Sequence, residues 1–307
     1  MGDQKTVDQV SGNQEPRNGT PGAIIPGNLL PDYFQFSQSI LQDFIDCRRR
    51  FQLRSILGIA WPALQSEPAL ESEQAMQKGA QFHHMVHQHL LGVPAERLAL
   101  LIHDPDLERW WENYSIQDLV IHPSTPPWGI SPEVSLSDAL EAFRLVAKYD
   151  LIVSKGDGRF TIIDWKTSRQ RPRRQWLADR MQSRVYPYLL VRAGAHLNQG
   201  QPIQPEGVEM VYWFAEFPTQ PERFPYSDHQ YREDRAYLSK LVQEISRLGE
   251  RDFSLTTYER HCAYCSYRSL CDRGVRAGTL EGLDSELEAD LGGGIDLDFE
   301  QIAEIEF

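Results

Sequence analysis

Cysteine is scarce in this chain. Four thiols in 307 residues exclude the disulfide-stapled scaffold of small secreted domains, and spaced cysteines in a reducing compartment more often bind metal. Long apolar runs are missing as well. No stretch approaches the ~18 consecutive apolar residues of a membrane span, which excludes an integral helical membrane protein. The first thirty residues, MGDQKTVDQVSGNQEPRNGTPGAIIPGNLL, lack the apolar region of a secretory signal, so a cytoplasmic protein with no membrane partner is expected. No repeat recurs at solenoid periods.

Positive charge is absent from the C-terminal stretch 280–307, which holds ten acidic residues and dominates the net charge of −13. Residues 148–192, by contrast, carry eleven Lys or Arg against four Asp. Because the charge is segregated, the net value does not decide whether a polyanion binds. An acidic tail of this kind can solubilise the chain, dock a partner or cover a basic groove.

What remains is an ordinary globular composition, 41% hydrophobic and 24% charged, sufficient for a sizeable core. Residues 1–32 are rich in Gly, Gln, Asn and Pro and are expected to be disordered. A helix is expected after Ser37 as N-cap, with Ile40, Leu41, Phe44 and Ile45 at helical spacing, running toward Cys47 and Arg48–Arg50. A second helix starts near Glu71 and carries Met76, Phe82, Val86 and Leu90. Residues 93–132, with Trp110, Trp111 and a Pro-rich loop, read as an insertion or lid. The runs Arg144–Val153 and Phe160–Trp165 read as strands around Lys155-Gly156-Asp157-Gly158, a strong hairpin signal. A helix over Arg173–Ala193, a buried strand over Val208–Phe214 and an amphipathic helix over Asp228–Leu248 follow. Residues 276–307 read as a flexible acidic tail. Helices interleaved with a small sheet make this an α/β or α+β protein with one core over 33–275.

The hairpin carries the first chemical signal. Asp164 and Lys166 share a face, being two residues apart on a strand. A hairpin symmetric about Asp157 sets Asp150 opposite Asp164, and opposed carboxylates repel unless a cation lies between them. Hard oxygen ligands on adjacent strands suit Mg2+ or Mn2+. Lys166 beside such an ion could orient a water and stabilise charge developing on phosphorus. The same residues could also be solvated strand-end acids with Lys166 as their salt-bridge partner.

Four of the nine histidines fall at 83, 84, 87 and 89. His83 and His87 share a helix face, and neutral imidazoles ligate metals; a zinc-protease pattern fails because His84 stands where a Glu is required. Gly79, one turn earlier, would let a strand or a DNA backbone come close. Cys262, Cys265 and Cys271 crowd into ten residues, with Cys47 as the fourth thiol, a set that can hold an iron–sulfur cluster or, as a less favoured occupant, zinc. Arg169, Arg171, Arg173, Arg174, Arg180 and Arg184 follow the Phe160–Trp165 strand. They can form a solvated face or contact phosphates, with Trp176 available for base stacking.

Taken in order, these motifs resemble the PD-(D/E)XK nuclease superfamily, and within it the RecB-like branch with a cysteine-ligated cluster, which includes CRISPR-associated exonucleases and AddAB-type nuclease domains. Gly79-Ala-Gln-Phe-His83 is similar to the family's helix motif, Tyr149-Asp150 to its first acidic strand with Glu133 before it, and Ile163-Asp164-Trp165-Lys166-Thr167-Ser168 to its core motif. Gln182-Ser-Arg-Val-Tyr186 is similar to the following helix motif, and Cys47…Cys262-x2-Cys265-x5-Cys271 to its cluster ligands. His87 stands where many relatives carry a Glu, and no helicase motor is present.

The resemblance implies a restriction-endonuclease-like α/β core, a small mixed sheet flanked by helices, with a 4Fe-4S cluster joining its N- and C-terminal parts. It implies that His83, Asp150, Asp164 and the Trp165 carbonyl ligate Mg2+ or Mn2+, that Lys166 acts as general base or orients water, and that Gln182 and Tyr186 position Lys166 or the scissile phosphate. The expected function is a metal-dependent DNA nuclease, an exonuclease on single strands or DNA ends, in repair, recombination or CRISPR adaptation. The acidic tail would meet a helicase, a CRISPR-adaptation protein or another DNA-maintenance partner. The alternative is a catalytically silent DNA-binding or adaptor subunit that keeps the fold.

Overall fold

The computed structural model describes residues 29–59, 67–116 and 129–274; the expected disordered segment up to residue 28, part of the Pro-rich loop and the acidic tail lie outside them. A six-stranded mixed sheet forms the centre. In chain order the strands are β1 (Gln35–Phe36), β2 (Gly129–Leu140), β3 (Phe143–Ser154), β4 (Phe160–Lys166), β5 (Val208–Phe214) and β6 (Glu222–Pro225). The helices are α1 (Gln38–Asp46), α2 (Arg48–Phe51), α3 (Glu67–Leu90), α4 (Ala95–Ala99), α5 (Pro105–Ile116), α6 (Arg174–Asp179), α7 (Met181–Ala193) and α8 (Asp228–Ser246). Residues Gln52–Ile56 continue α2 as a π-helical turn.

β2 pairs antiparallel with the whole of β3, whose other side is shared: β1 pairs parallel with its start and β4 antiparallel with its end. β4 and β5 run parallel and β6 returns antiparallel. The β4–β5 link is a crossover through α6 and α7, as a parallel pair requires. Leu151 pairs with Ile163 and Ser154 with Phe160, the register expected from symmetry about Asp157. Gly156 and Gly158 take φ of 75° and 79°, a left-handed backbone that only glycine adopts without strain.

Two cores sandwich the sheet. One packs α1, α7 and α8 on one face around Leu41, Leu145, Ile162, Leu189, Met210 and Leu238. The other sets α3 and α5 on the opposite face around Phe82, Val86, Trp110, Trp111, Trp165 and Trp213. Trp110 and Trp111 are nearly fully buried, so this part of the segment read as an insertion or lid belongs to the second core, and Gly129–Pro132 opens β2. Leu30, inside the segment expected to be disordered, is 2% exposed and packs in the first core.

Local physics explains both the agreements and the departures. Ser37 caps α1 by accepting a hydrogen bond from the Ile40 amide at 3.3 Å, although Ile45, expected on the apolar face, is exposed. α3 starts at Glu67, ahead of Glu71. The single helix expected over Arg173–Ala193 breaks at Arg180, whose backbone is extended (φ −72°, ψ 146°), so α7 starts afresh at Met181. The Met181 amide, orphaned by the break, donates to Gln42 of α1 at 3.0 Å. β2 is absent from the sequence reading because Leu136 and Leu140 are its only buried hydrophobics, and a spacing of four fits a helix face as well as a strand face.

Candidate active site

Pairing between β3 and β4 stops at Leu151 and Ile163. Asp150 and Asp164 are the next residues along, at the point where the strands part. Asp164 is 4% exposed, and its carboxylate meets the Lys166 ammonium at 2.8 Å. Gln182, on the first turn of α7, bridges the pair: its amide nitrogen donates to Asp164 Oδ1, and its amide oxygen accepts from Lys166 Nζ at 3.0 Å. The break at Arg180 is what aims this turn of helix at β4. Lys166 also has its carbonyl held by the Ala215 amide at 2.8 Å, and its ammonium lies 5.4 Å from the Tyr212 ring centroid.

Asp150 is served from the other face. Its Oδ1 stands 3.3 Å from His83 Nδ1 of α3, and its Oδ2 accepts the Trp165 amide at 2.9 Å. A Cβ on Gly79 would lie 2.8 Å from the Thr167 hydroxyl, so the glycine lets α3 approach the end of β4 closely enough to bring His83 in. One turn further along α3, His87 Nδ1 lies 3.6 Å from Glu133, which also holds Lys148 at 2.8 Å. Glu133 has φ of 49°, left-handed backbone that costs a residue with a Cβ.

Burial and charge compete at each group. Burial would lower the His83 imidazole, but the Asp150 charge and hydrogen bond outweigh it and raise the pKa above 6.5. Burial would raise Asp150, but His83, the Trp165 amide and Lys166 hold it below 3.8. At Asp164 burial prevails over the Lys166 charge and the pKa rises. Thus the chain gives each carboxylate a cation of its own.

That pairing bears on the expected metal. The donor chemistry fits a hard divalent cation: two carboxylates on parting strands and an imidazole beside one of them. Yet no group of three or more His, Cys, Asp or Glu among the described residues stands in the arrangement of an assembled metal site, because Asp150 faces His83 while Asp164 faces Lys166 and Gln182.

Tyr186 stands beside Gln182 and within the field of both carboxylates; its hydroxyl donates to the Lys148 carbonyl at 2.8 Å, and Tyr149 donates to the Tyr186 carbonyl at 2.8 Å. The two rings, 4.6 Å apart, tie α7 to β3 just before Asp150. The Trp165 ring packs at 5.5 Å from Trp213 in the second core.

The arginines divide. Arg171 and Arg174 both bind Glu222, which is 8% exposed, and Arg184 binds Asp234 at 2.7 Å. Arg180 lies over the Trp176 ring at 4.7 Å, with Asp46 3.8 Å away. Arg169 and Arg173 are exposed. Glu222 and Asp234 were invisible to sequence reasoning, since nothing in their local sequence marks them as partners of arginines some fifty residues away.

Cys47 sits between α1 and α2, Cys262 and Cys271 lie in the 3-10 turns Glu259–Tyr264 and Arg268–Cys271, and Cys265 directly follows the first of these. All four are free and partly buried. Burial raises the Cys262 pKa, and the other three thiols stand near enough to raise it further. The donor set suits a soft metal or cluster, though no assembled site is present among the described residues.

The sequence pattern of the PD-(D/E)XK nuclease superfamily matches residues 35–272. The chain belongs to this superfamily. The match spans β1 to the last cysteine, so the nuclease domain includes both the parting strands and the thiol segment. No curated protein matches the chain. Among solved structures, SSO0001 is similar at 13% identity and a TM-score of 0.38, covering 77% of this chain and 85% of that one. A protein of Eubacterium rectale named "Putative exonuclease" is similar at 11% identity and a TM-score of 0.41, covering 70% and 80%. No helix among the described residues is long and apolar enough to cross a membrane.

Proposed function

We propose that this nuclease-superfamily chain is a divalent-metal-dependent deoxyribonuclease acting on single strands or DNA ends, and that Asp150, Asp164, His83 and Lys166 are its working groups. The observation that carries this reading is the convergence of those four side chains, from α3, β3 and β4, at the one place where the central strands separate.

Asp150, Asp164 and His83 would hold Mg2+ or Mn2+, with the Trp165 carbonyl as a further ligand. Such an ion, when bound, polarises a phosphoryl oxygen and makes bound water more acidic. The remaining work falls to the chain. Lys166, held between Asp164 and Gln182, would orient the attacking water and neutralise charge developing on the phosphate oxygens. Gln182 would keep the ammonium in place, and Tyr186 would position β3 rather than touch the phosphate. Arg169, Arg171, Arg173, Arg174, Arg180 and Arg184, on the segment that follows β4, would meet the DNA backbone, with Arg171, Arg174 and Arg184 oriented by Glu222 and Asp234.

We further propose that Cys47, Cys262, Cys265 and Cys271 hold a 4Fe-4S cluster, as in the RecB-like branch, clipping the N-terminal helices to the C-terminal turns. Its role in DNA repair, recombination or CRISPR adaptation belongs to the same reading, with the acidic tail as the contact for a DNA-maintenance partner. Incubating end-labelled single- and double-stranded DNA with the protein and Mn2+ or Mg2+ tests the enzyme: the labelled strand shortens, and Asp164→Ala does not shorten it. Equal cleavage by Asp164→Ala would remove the assigned chemistry. Tight DNA binding with no cleavage at all would leave the adaptor reading in its place.

A further inference from the structure

The register of the sheet sets a third carboxylate beside Asp150 and Asp164. Pro132 pairs with Leu151 and Val134 with Tyr149, so Glu133 of β2 stands opposite Asp150 of β3. On the other side Leu151 pairs with Ile163, which makes Asp164 the next residue in the same row. Glu133, Asp150 and Asp164 therefore follow one another across three adjacent strands. Cross-strand neighbours have Cβ atoms ~4.5–5.5 Å apart, and like charges at that spacing repel.

An ammonium meets the charge at each end of the row. Lys166 stands 2.8 Å from Asp164, and Lys148 stands 2.8 Å from Glu133. Lys148 comes two residues before Asp150 on β3, as Lys166 comes two residues after Asp164 on β4. The row is thus bracketed by two lysines.

Two imidazoles reach it from α3. His83 Nδ1 lies 3.3 Å from Asp150, and His87 Nδ1 lies 3.6 Å from Glu133. Helix residues four apart have Cβ atoms ~5–6 Å apart, a spacing that matches the two acids across the strand pair. His83–Asp150 and His87–Glu133 are therefore two copies of one donor pair, side by side. Imidazole and carboxylate together suit a divalent ion such as Mn2+ at either copy. Glu133 is brought into line by a left-handed backbone, φ 49°, which a residue with a Cβ rarely adopts and which persists only where its surroundings hold it. At Glu133, however, the place of an ion is taken by the Lys148 ammonium.

We propose that His87 and Glu133 form a second divalent-cation position next to Asp150, and that Lys148 fills it with a tethered ammonium. Paired-ion sites hold their ions ~3.5–4 Å apart and need both from solution. Here one of the two positive charges is built into β3 and cannot dissociate. The inference rests on the reading of His83, Asp150 and Asp164 as ligands of an ion, and deepens it by setting the number of ions.

The test counts Mn2+ bound to the full chain by equilibrium dialysis, at physiological salt to screen the acidic tail. Mn2+ is the probe because thiolates select softer metals. The wild type is expected to hold about one ion. Lys148→Met, which keeps the apolar stem and discards the charge, is expected to hold about one more, while Lys148→Arg holds no more than the wild type. Adding Glu133→Gln or His87→Ala to Lys148→Met removes the extra ion. Electron paramagnetic resonance of Lys148→Met is expected to show two magnetically coupled ions, as neighbours in a paired site are and ions scattered on the tail are not. Thermal melts identify a variant that fails to fold, and Lys148→Ala then replaces Lys148→Met. A coupled pair on the wild type, or the wild-type count in the folded variant, overturns the proposal. The wild-type count reports on the Asp150–Asp164 ligands, and the difference between variant and wild type reports on Lys148. An ion gained by Lys148→Met over an ion-free wild type refutes the former and keeps the latter. One ion on both does the reverse.

Discussion

At Asp164 burial and ionisation oppose each other, and burial prevails although the Lys166 ammonium stands 2.8 Å away. Both side chains are largely buried, so removing one partner strands the other. Lys166→Ala is therefore expected to cost ~3–5 kcal/mol of stability as well as DNA cleavage, read by urea melts and an end-labelled assay. Asp164→Asn removes cleavage with a smaller loss, because the amide keeps a partner for Gln182 while discarding the buried charge. His83 and Asp150 make a second test, in metal-free protein. The His83 pKa is raised above 6.5, so its contribution is complete below 6.5 and fades as pH rises through the folded value. Asp150 is held below 3.8, so its contribution exists above 3.8 and is lost as pH falls through the lower folded value. The destabilisation caused by His83→Ala should accordingly be largest between pH 3.8 and 6.5. A pH-independent difference from urea melts in chelator would show that the two groups do not form an ion pair.

Among the elements, two close approaches fix where the site lies. α3 reaches the end of β4 through Gly79, and the start of β5 passes the β3–β4 turn through Gly207, where a Cβ would lie 2.6 Å from the Gly158 carbonyl oxygen. The second contact is with backbone and cannot relax by a rotamer change, so Gly207→Ala is expected to destabilise by ~1–3 kcal/mol while leaving residual cleavage intact. Gly79→Ala presses on the Thr167 hydroxyl, next to Lys166, and should lower cleavage more than stability. Restoration of cleavage in Gly79→Ala/Thr167→Ala would show that steric pressure is the cause; no restoration would place the effect elsewhere. The register of the β3–β4 hairpin was legible because a symmetric Gly-Asp-Gly turn is a local instruction. β2 was not, since Pro132 and the left-handed Glu133 interrupt its alternation and its outer side lies at the sheet edge.

Across the whole molecule, the first and last described segments meet at the four thiols, more than two hundred residues apart in sequence. A cluster there would close almost the entire domain into one loop, worth roughly 4–5 kcal/mol if it acts like a covalent cross-link of that length. The protein isolated without oxygen is expected to contain iron, and Cys47→Ser to lose iron and melt at lower temperature. An iron-free, zinc-loaded preparation would remove the cluster and leave the nuclease untouched.

The residues of the candidate site and the order of their motifs were set by the sequence itself: Asp150, Asp164 and Lys166 follow from strand alternation and a symmetric turn, while helical spacing put His83 and His87 on one face and the resemblance to the family motif singled out His83. Those are short-range rules, with periods of two and 3.6 residues, and they survive in any chain that folds at all. What the tertiary structure decided is which charges meet. Arg171 and Arg174 were drawn to Glu222, Arg184 to Asp234, and Trp110 and Trp111 into a second core. Burial makes an unpartnered charge or an uncovered indole costly, and the nearest cover comes from elements distant in sequence, a choice that no local pattern encodes.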